Sequence, residues 1–196
     1  MVYRRILLFC LLAWLLLDIP GCAAPAPDME KTAAIIDQLS VSDPGPAFVK
    51  SVTAVLEAAG YRVNYICGNQ VTVDCYRSLP SAGYDLILFR AHAGQLGGSP
   101  GNPQRTCLYT SQPYHKNEET ACQLAGRLGK AGIDDNPPVL AVNASFVASS
   151  MKGSFDGAAV IVMGCHSLAS DDMARAFVEK GASVYIGWTE SVDLCY

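Results

Sequence analysis

The sequence predicts one α/β domain built on a mainly parallel sheet. Two largely apolar runs, residues 85–91 and 158–164, have the length and composition of strands that are buried on both faces. Helical patterns lie between such runs, and strands that alternate with helices form parallel, doubly wound sheets. The chain has 196 residues, of which 51% are hydrophobic and 16% are charged, which suits a single domain with a real core.

The first half of the domain alternates between strands and helices. Phe48, Val55 and Leu56 recur at helical spacing, and Gly60 terminates the helix that they predict. The predicted elements are a strand at 32–36, a helix at 47–59, a strand at 61–66, a short helix at 73–79 and the strand at 85–91.

The second half opens with a loop that runs from Gly94 to Lys116, because residues 94–103 are rich in Gly and Pro. Leu124 and Leu128 would face inward from a helix that follows it, and Ser170 would cap a later helix that Gly181 ends. The predicted elements are a helix at 118–129, a strand at 139–142, the strand at 158–164, a helix at 170–180 and a last strand at 182–188.

The N-terminus has the pattern of a targeting signal. Arg4 and Arg5 precede an apolar run of about twelve residues at 6–17, which suits a signal-peptide core and is too short for a membrane span. The Ile-Pro-Gly-Cys sequence that ends at Cys22 resembles a bacterial lipobox, in which the Cys receives lipid. The alternative is an ordinary secretory signal that is cut near Ala23.

These features divide the chain into a signal segment at 1–22, a linker at 23–31 and a folded domain at 32–196. The protein is expected to be exported, and either secreted or held at the outer face of the membrane through lipid on Cys22 or an uncleaved signal. A net charge of −4 argues against nucleic acid as a partner. No cofactor is expected, and the three His residues lack the spacing of a zinc site.

The sequence contains candidate sites for disulfide formation and for glycosylation. An exported chain can form disulfides, and both Cys67–Cys75 and Cys107–Cys122 are candidate pairs whose connectivity the sequence does not determine. Asn143 begins an Asn-Ala-Ser sequon, which has meaning only in a eukaryotic secretory pathway.

Two reactive residues follow the two most apolar runs. His92 comes directly after the run at 85–91, and Cys165 directly after the run at 158–164. Ligands bind at the carboxyl edge of an open parallel sheet, so both residues are predicted to lie where chemistry is done. A thiol and an imidazole together suit nucleophilic acyl transfer. The alternative is a buried structural Cys and an unrelated loop His.

Three stretches resemble a known superfamily. YDLILFRAHAG at 84–94 resembles the strand and His motif of caspase-like cysteine peptidases, and VIVMGCHS at 160–167 is similar to their strand and Cys motif. DMARAFVEKGASVYIGW at 172–188 resembles the gingipain and CHAT-domain branches. The resemblance covers roughly 32–188 and implies a three-layer caspase-like fold, in which a mainly parallel central sheet is flanked by helices.

The resemblance also implies roles. Cys165 would be the nucleophile of a cysteine endopeptidase and His92 its acid–base partner, with a peptide or protein as substrate. The backbone N–H groups of Ala93, Gly94 and Cys165 are the candidate oxyanion hole. His166 would be a local orienting group or an exposed residue.

The sequence departs from the family pattern at three places. Ala93 replaces the Gly that usually follows the His, and Met163 stands where Arg- and Lys-specific members carry Asp. Relatives continue beyond the position of Tyr196, which implies a C-terminally truncated domain. Two alternatives stay open: a non-catalytic CHAT-like or caspase-like interaction module, and a secreted binding domain whose cysteines are all structural.

Overall fold

The computed structural model describes residues 30–97, 104–132 and 136–192. The predicted signal segment with Cys22, most of the predicted linker and residues 98–103 of the predicted loop lie outside these ranges. In the described ranges, no helix is long and apolar enough to cross a membrane.

The described residues form nine strands and five α-helices. The strands are β1 (Lys31–Asp37), β2 (Tyr61–Cys67), β3 (Leu86–Arg90), β4 (Ala93–Leu96), β5 (Arg105–Pro113), β6 (Leu128–Ala131), β7 (Val139–Asn143), β8 (Ala159–Met163) and β9 (Val184–Ile186). The helices are α1 (Pro46–Ala58), α2 (Val73–Ser78), α3 (Thr120–Leu124), α4 (Ala144–Ser150) and α5 (Asp172–Glu179).

The central sheet contains five parallel strands in the order β2-β1-β3-β8-β9. Its middle strands carry the apolar runs recognised in the sequence, and β1, β3 and β8 supply much of the core. The predicted α/β class, with a mainly parallel sheet flanked by helices, is therefore confirmed.

Helices cover both faces of this sheet and make three layers. On one face, the Phe89 ring of β3 lies 5.5 Å from the Tyr76 ring of α2 and 6.2 Å from the Phe177 ring of α5, measured between centroids. On the other face, the guanidinium of Arg90 lies 5.9 Å from the centroid of Phe48 in α1. No residue of α1 is fully buried, so the second face is covered more thinly than the first.

A second sheet, which the sequence did not predict, extends the core. It is antiparallel, with the order β4-β5-β7-β6, and β4 begins only three residues after β3 ends. Its inward side chains, Leu108, Leu128, Leu140 and Val142, join the same apolar core as the central sheet. The residues after His92 therefore form a strand rather than the expected open loop.

The helix predicted at 118–129 is wrong. Only the single turn of α3 is helical, and Leu124 is 85% exposed instead of facing inward. Gly126 has a φ of 65°, which ends the helix, and the chain then enters β6, where Leu128 pairs with Val142. Leucine spacing alone does not separate a helix from a turn followed by a strand.

The structure shows the surroundings of the candidate glycosylation site and the state of the cysteines. Asn143 is only 5% exposed; its Oδ1 accepts the N–H of Phe146 as the N-cap of α4, and its Nδ2 donates to the Gly126 carbonyl. The nitrogen that a glycan would need is therefore engaged inside the fold. Neither candidate disulfide is present, and the described cysteines are all free: Cys67, Cys75, Cys107, Cys122 and Cys165.

Candidate active site

The ends of β3 and β8 bring the His92 and Cys165 segments side by side. The two strands are parallel neighbours, with Arg90 opposite Met163, and Ala91 N–H donates to the Met163 carbonyl at 3.3 Å. Both residues therefore lie at the carboxyl edge of the sheet, as the sequence predicts, and their strands are paired.

Gly164 makes the approach closer than any other residue would allow. A Cβ at this position would lie 2.5 Å from the Ala91 carbonyl oxygen and 3.0 Å from the Ala93 Cβ, both closer than van der Waals contact permits. Glycine therefore lets the backbone that leads into Cys165 touch the backbone on both sides of His92.

Three contacts fix the position of His92. Its N–H donates to Oε1 of Gln38 at 2.9 Å, and its carbonyl accepts the N–H of Tyr109 at 2.9 Å. Its ring is tilted against the Tyr109 ring, with 6.1 Å between centroids. His92 is thus held between the end of β1 and strand β5, at the carboxyl edge of the central sheet.

A buried ion pair supports this edge. Arg90 and Asp37 are both fully buried, and Arg90 Nη1 donates to Asp37 Oδ1 at 2.9 Å. The other amino group of Arg90 donates to the carbonyl and to Oδ2 of Asp43, which anchors the loop after β1. The Tyr65 hydroxyl donates to Asp37 Oδ2, and burial, with that contact to Asp37, raises the pKa of Tyr65 so that it stays protonated.

A cavity of about 170 Å³ opens beside His92. It is bounded by the loops after β1 and β2 and by strands β5 and β7 of the second sheet. Its described lining residues are Gln38, Val41, Ser42, Asn69, His92, Ser111, Gly132, Asn136, Pro137 and Val139. Cys165 is not among them.

Cys165 instead contacts a segment that follows β9. Its sulfur accepts the N–H of Val192 at 3.3 Å and lies 3.6 Å from the Val192 carbonyl oxygen. We call residues 188–192 the covering segment. The structure thus brings the backbone that precedes Cys165 beside the backbone around His92, and the Cys165 sulfur is hydrogen-bonded to Val192.

His166 holds the covering segment in place. Its N–H donates to the Glu190 carbonyl at 3.0 Å, and its ring nitrogens lie 3.2 Å from the Thr189 carbonyl and 3.0 Å from the Ser191 hydroxyl. The φ of His166 is 54°, a left-handed conformation that turns the chain sharply after Cys165. His166 is therefore a structural anchor for residues 188–192.

Two backbone N–H groups near the paired strand ends are candidate hydrogen-bond donors. The N–H of Cys165 has no hydrogen-bond acceptor among the described residues. In an antiparallel pair, the N–H groups of successive residues point alternately toward and away from the partner strand. The Tyr109 N–H donates to the His92 carbonyl, so His92 occupies a hydrogen-bonded position, and Gly94, two residues later, does so too. The N–H of Ala93, which lies between them, therefore faces away from β5. Ala93 N lies next to Gly164, on the side of Cys165. The N–H groups of Ala93 and Cys165 thus stand outside the β4–β5 ladder.

Several polar residues of the site were not identified from the sequence. Asp37 and Gln38 follow a buried strand at the same carboxyl edge as His92, so their position was a usable signal. Ser111 gave no such signal, because it belongs to the second sheet, which was not predicted. In the described part of the chain, no three His, Cys, Asp or Glu side chains form a group that could hold a metal ion.

Comparison of the chain with protein-family models and with curated proteins finds no match.

The buried thiols give a first testable expectation. Burial raises the pKa of Cys75 to about 11 and that of Cys107 to about 12, so both remain protonated at pH 8, and their thiolates form only as the pH approaches those values. At pH 8 we expect iodoacetamide to modify Cys165 well before either of them, as measured by peptide mapping. Rapid modification of Cys107 in the folded protein would contradict this expectation.

Proposed function

We propose that this protein is a caspase-like cysteine endopeptidase that is exported and hydrolyses peptide bonds with Cys165 and His92. The observation that carries the proposal is the contact of Gly164 with Ala91 and Ala93, which places a Cys and a His on adjoining ends of parallel strands. Two N–H groups between them supply the charge stabilisation that acyl transfer needs.

The chemistry follows from these groups. His92 takes the proton of the Cys165 thiol, and the sulfur attacks the carbonyl carbon of the scissile peptide bond. The N–H groups of Ala93 and Cys165 stabilise the oxyanion of the tetrahedral intermediate. The C–N bond then breaks as the His92 imidazolium protonates the leaving amine. Water, activated by His92, hydrolyses the thioester and releases the acid product and the free thiol.

The covering segment has to move for this reaction. The backbone of Val192 contacts the sulfur that would attack the scissile carbonyl. The described state therefore represents a closed form, and substrate binding would displace residues 188–192.

Thiol labelling tests the proposal directly. Changing His92 to Ala is expected to slow the alkylation of Cys165 at pH 7 by about tenfold, because no imidazole then takes the thiol proton, and to leave the rate at pH 10 nearly unchanged. The measurement is the iodoacetamide rate at Cys165 by mass spectrometry. Equal rates for the variant and the wild type at pH 7 would oppose the proposal.

Loosening the covering segment should expose the nucleophile. His166→Gly keeps the left-handed backbone and removes the two ring contacts, so we expect Cys165 to be alkylated about tenfold faster. Ser191→Ala removes only one of these contacts and serves as the graded control, with an increase of about threefold. Alkylation no faster in His166→Gly than in the wild type would show that the segment does not restrict access.

The second candidate is a non-catalytic module of the same fold. The contact between Val192 and Cys165 favours it, since the thiol is engaged by the chain itself. Such a module would show no difference between wild-type protein and His92→Ala in the labelling experiment.

The predicted lipid at Cys22 concerns residues outside the described ranges. We propose export through the N-terminal signal pattern, with lipid attachment as one form. Metabolic labelling with a fatty acid, compared between wild type and Cys22→Ala, distinguishes the lipoprotein from a plainly secreted protein.

A further inference from the structure

We propose that the cavity beside His92 accepts the uncharged, hydrogen-bonding side chain of a substrate residue that flanks the scissile bond, with the primary amide of Gln or Asn as the best fit. The inference rests on the proposed function, because the cavity borders the group that would handle the proton. It is argued from the size of the cavity, the charge of its lining and the polar groups that it offers.

The size of the cavity suits one side chain. Pockets for drug-sized ligands and cofactors usually measure about 300–1,000 Å³. The volume of about 170 Å³ falls below that range. A single medium-sized side chain therefore fills it, with His92 on its wall.

The described lining carries no Asp, Glu, Lys or Arg side chain. The buried charge of Arg90 is balanced by the carboxylates of Asp37 and Asp43, and Arg90 is not among the described lining residues. A charged guest side chain would lose its hydration without gaining an opposite charge from these residues, which is costly.

Two polar groups favour an amide over an apolar guest. Gln38 is 9% exposed and lines the cavity; its Oε1 is engaged by His92 N–H, whereas no described residue accepts a bond from its Nε2. Ser111 Oγ is shielded from solvent and has no hydrogen-bond partner among the described residues. A buried polar group without a partner costs about 1–3 kcal/mol. A guest carboxamide offers a partner to the Ser111 hydroxyl and an acceptor to the Gln38 amide N–H.

The test uses the full chain and peptides that differ at one position. Each position flanking a scissile bond is varied in turn among Gln, Asn, Leu, Glu and Arg. We expect kcat/KM for Gln or Asn to exceed that for Glu and Arg by about tenfold or more at one of these positions. Ser111→Ala should lower the preference for Gln over Leu several-fold, while the exposed Ser149→Ala, as a matched control, should leave it unchanged.

A binding experiment separates this inference from the proposed function. Fluorescence anisotropy measures the affinity of the same peptides for the Cys165→Ala variant. Preferential binding of Gln or Asn peptides without any cleavage by the wild type would retain the inference and overturn the peptidase. Cleavage that depends on Cys165 but proceeds equally with Gln, Glu and Arg would overturn the inference and retain the peptidase. Binding with no preference among the five residues also overturns the inference.

Discussion

Cys165→Ala is expected to reduce peptide cleavage by about 10⁴-fold or more, because loss of the attacking atom leaves only substrate binding and the oxyanion donors. The fold should be nearly unaffected, since Cys165 is only partly buried and its described sulfur contacts are confined to Val192. Initial rates on a fluorogenic peptide and thermal unfolding curves, recorded on the same preparations, measure the two effects.

Cys122→Ala is the matched control for this experiment. Cys122 is also a partly buried free thiol, but it lies beside Ser150, away from the two strand ends. Its replacement should leave cleavage within about twofold of the wild-type rate. Equal activity of Cys165→Ala and wild type would show that another group is the nucleophile. Unfolding of Cys165→Ala would show that the thiol is a core residue.

Arg90→Met should have the largest effect on stability. It leaves the Asp37 carboxylate fully buried without its cation, so we expect the free energy of unfolding to fall by about 3–5 kcal/mol. The loop held by Asp43 would also lose its anchor, and because Val41 and Ser42 line the cavity, that cavity should lose its shape. Urea unfolding, followed by tryptophan fluorescence, measures the change.

Two further variants define the cause of this loss. Arg62→Met breaks an ion pair with Glu30 whose side chains are about two-thirds exposed, and it should change stability by no more than about 1 kcal/mol. The double variant Asp37→Leu/Arg90→Met removes both buried charges and should recover much of the loss. If Arg90→Met lowers the free energy of unfolding no more than Arg62→Met does, the buried ion pair does not stabilise the carboxyl edge of the central sheet.

The central sheet and the neighbouring strand ends were predictable from short-range patterns. Runs such as 85–91 and 158–164 are too apolar and too short for a surface helix, and the helical spacing of α1 lies between two of the strands. Parallel connectivity then places all carboxyl ends at one edge. For this reason, His92 and Cys165 could be assigned to adjoining positions before any coordinates were known.

The second sheet could not be predicted in the same way. Strand β4 contains Ala93 and Gly94, which have low strand propensity, and β5 contains Thr, Ser and Gln among its apolar residues. These segments are strands because they pair with each other and with β7. Since the pairing partners are distant along the chain, no local window contains the signal, and the helix expected at 118–129 was wrong for the same reason.

By itself, the sequence determined the α/β class, the alternating strands and helices as far as β3, and the placement of a thiol and an imidazole after two apolar strands. Only the tertiary structure decided how close those ends lie, through Gly164, and which backbone N–H groups face the gap. It also decided that Arg90 and Asp37 are buried together, that Ser111 lines a cavity beside His92, and that Val192 contacts Cys165. The physical reason is that periodicity reports which face of an element is buried, whereas close contacts depend on how distant segments pack.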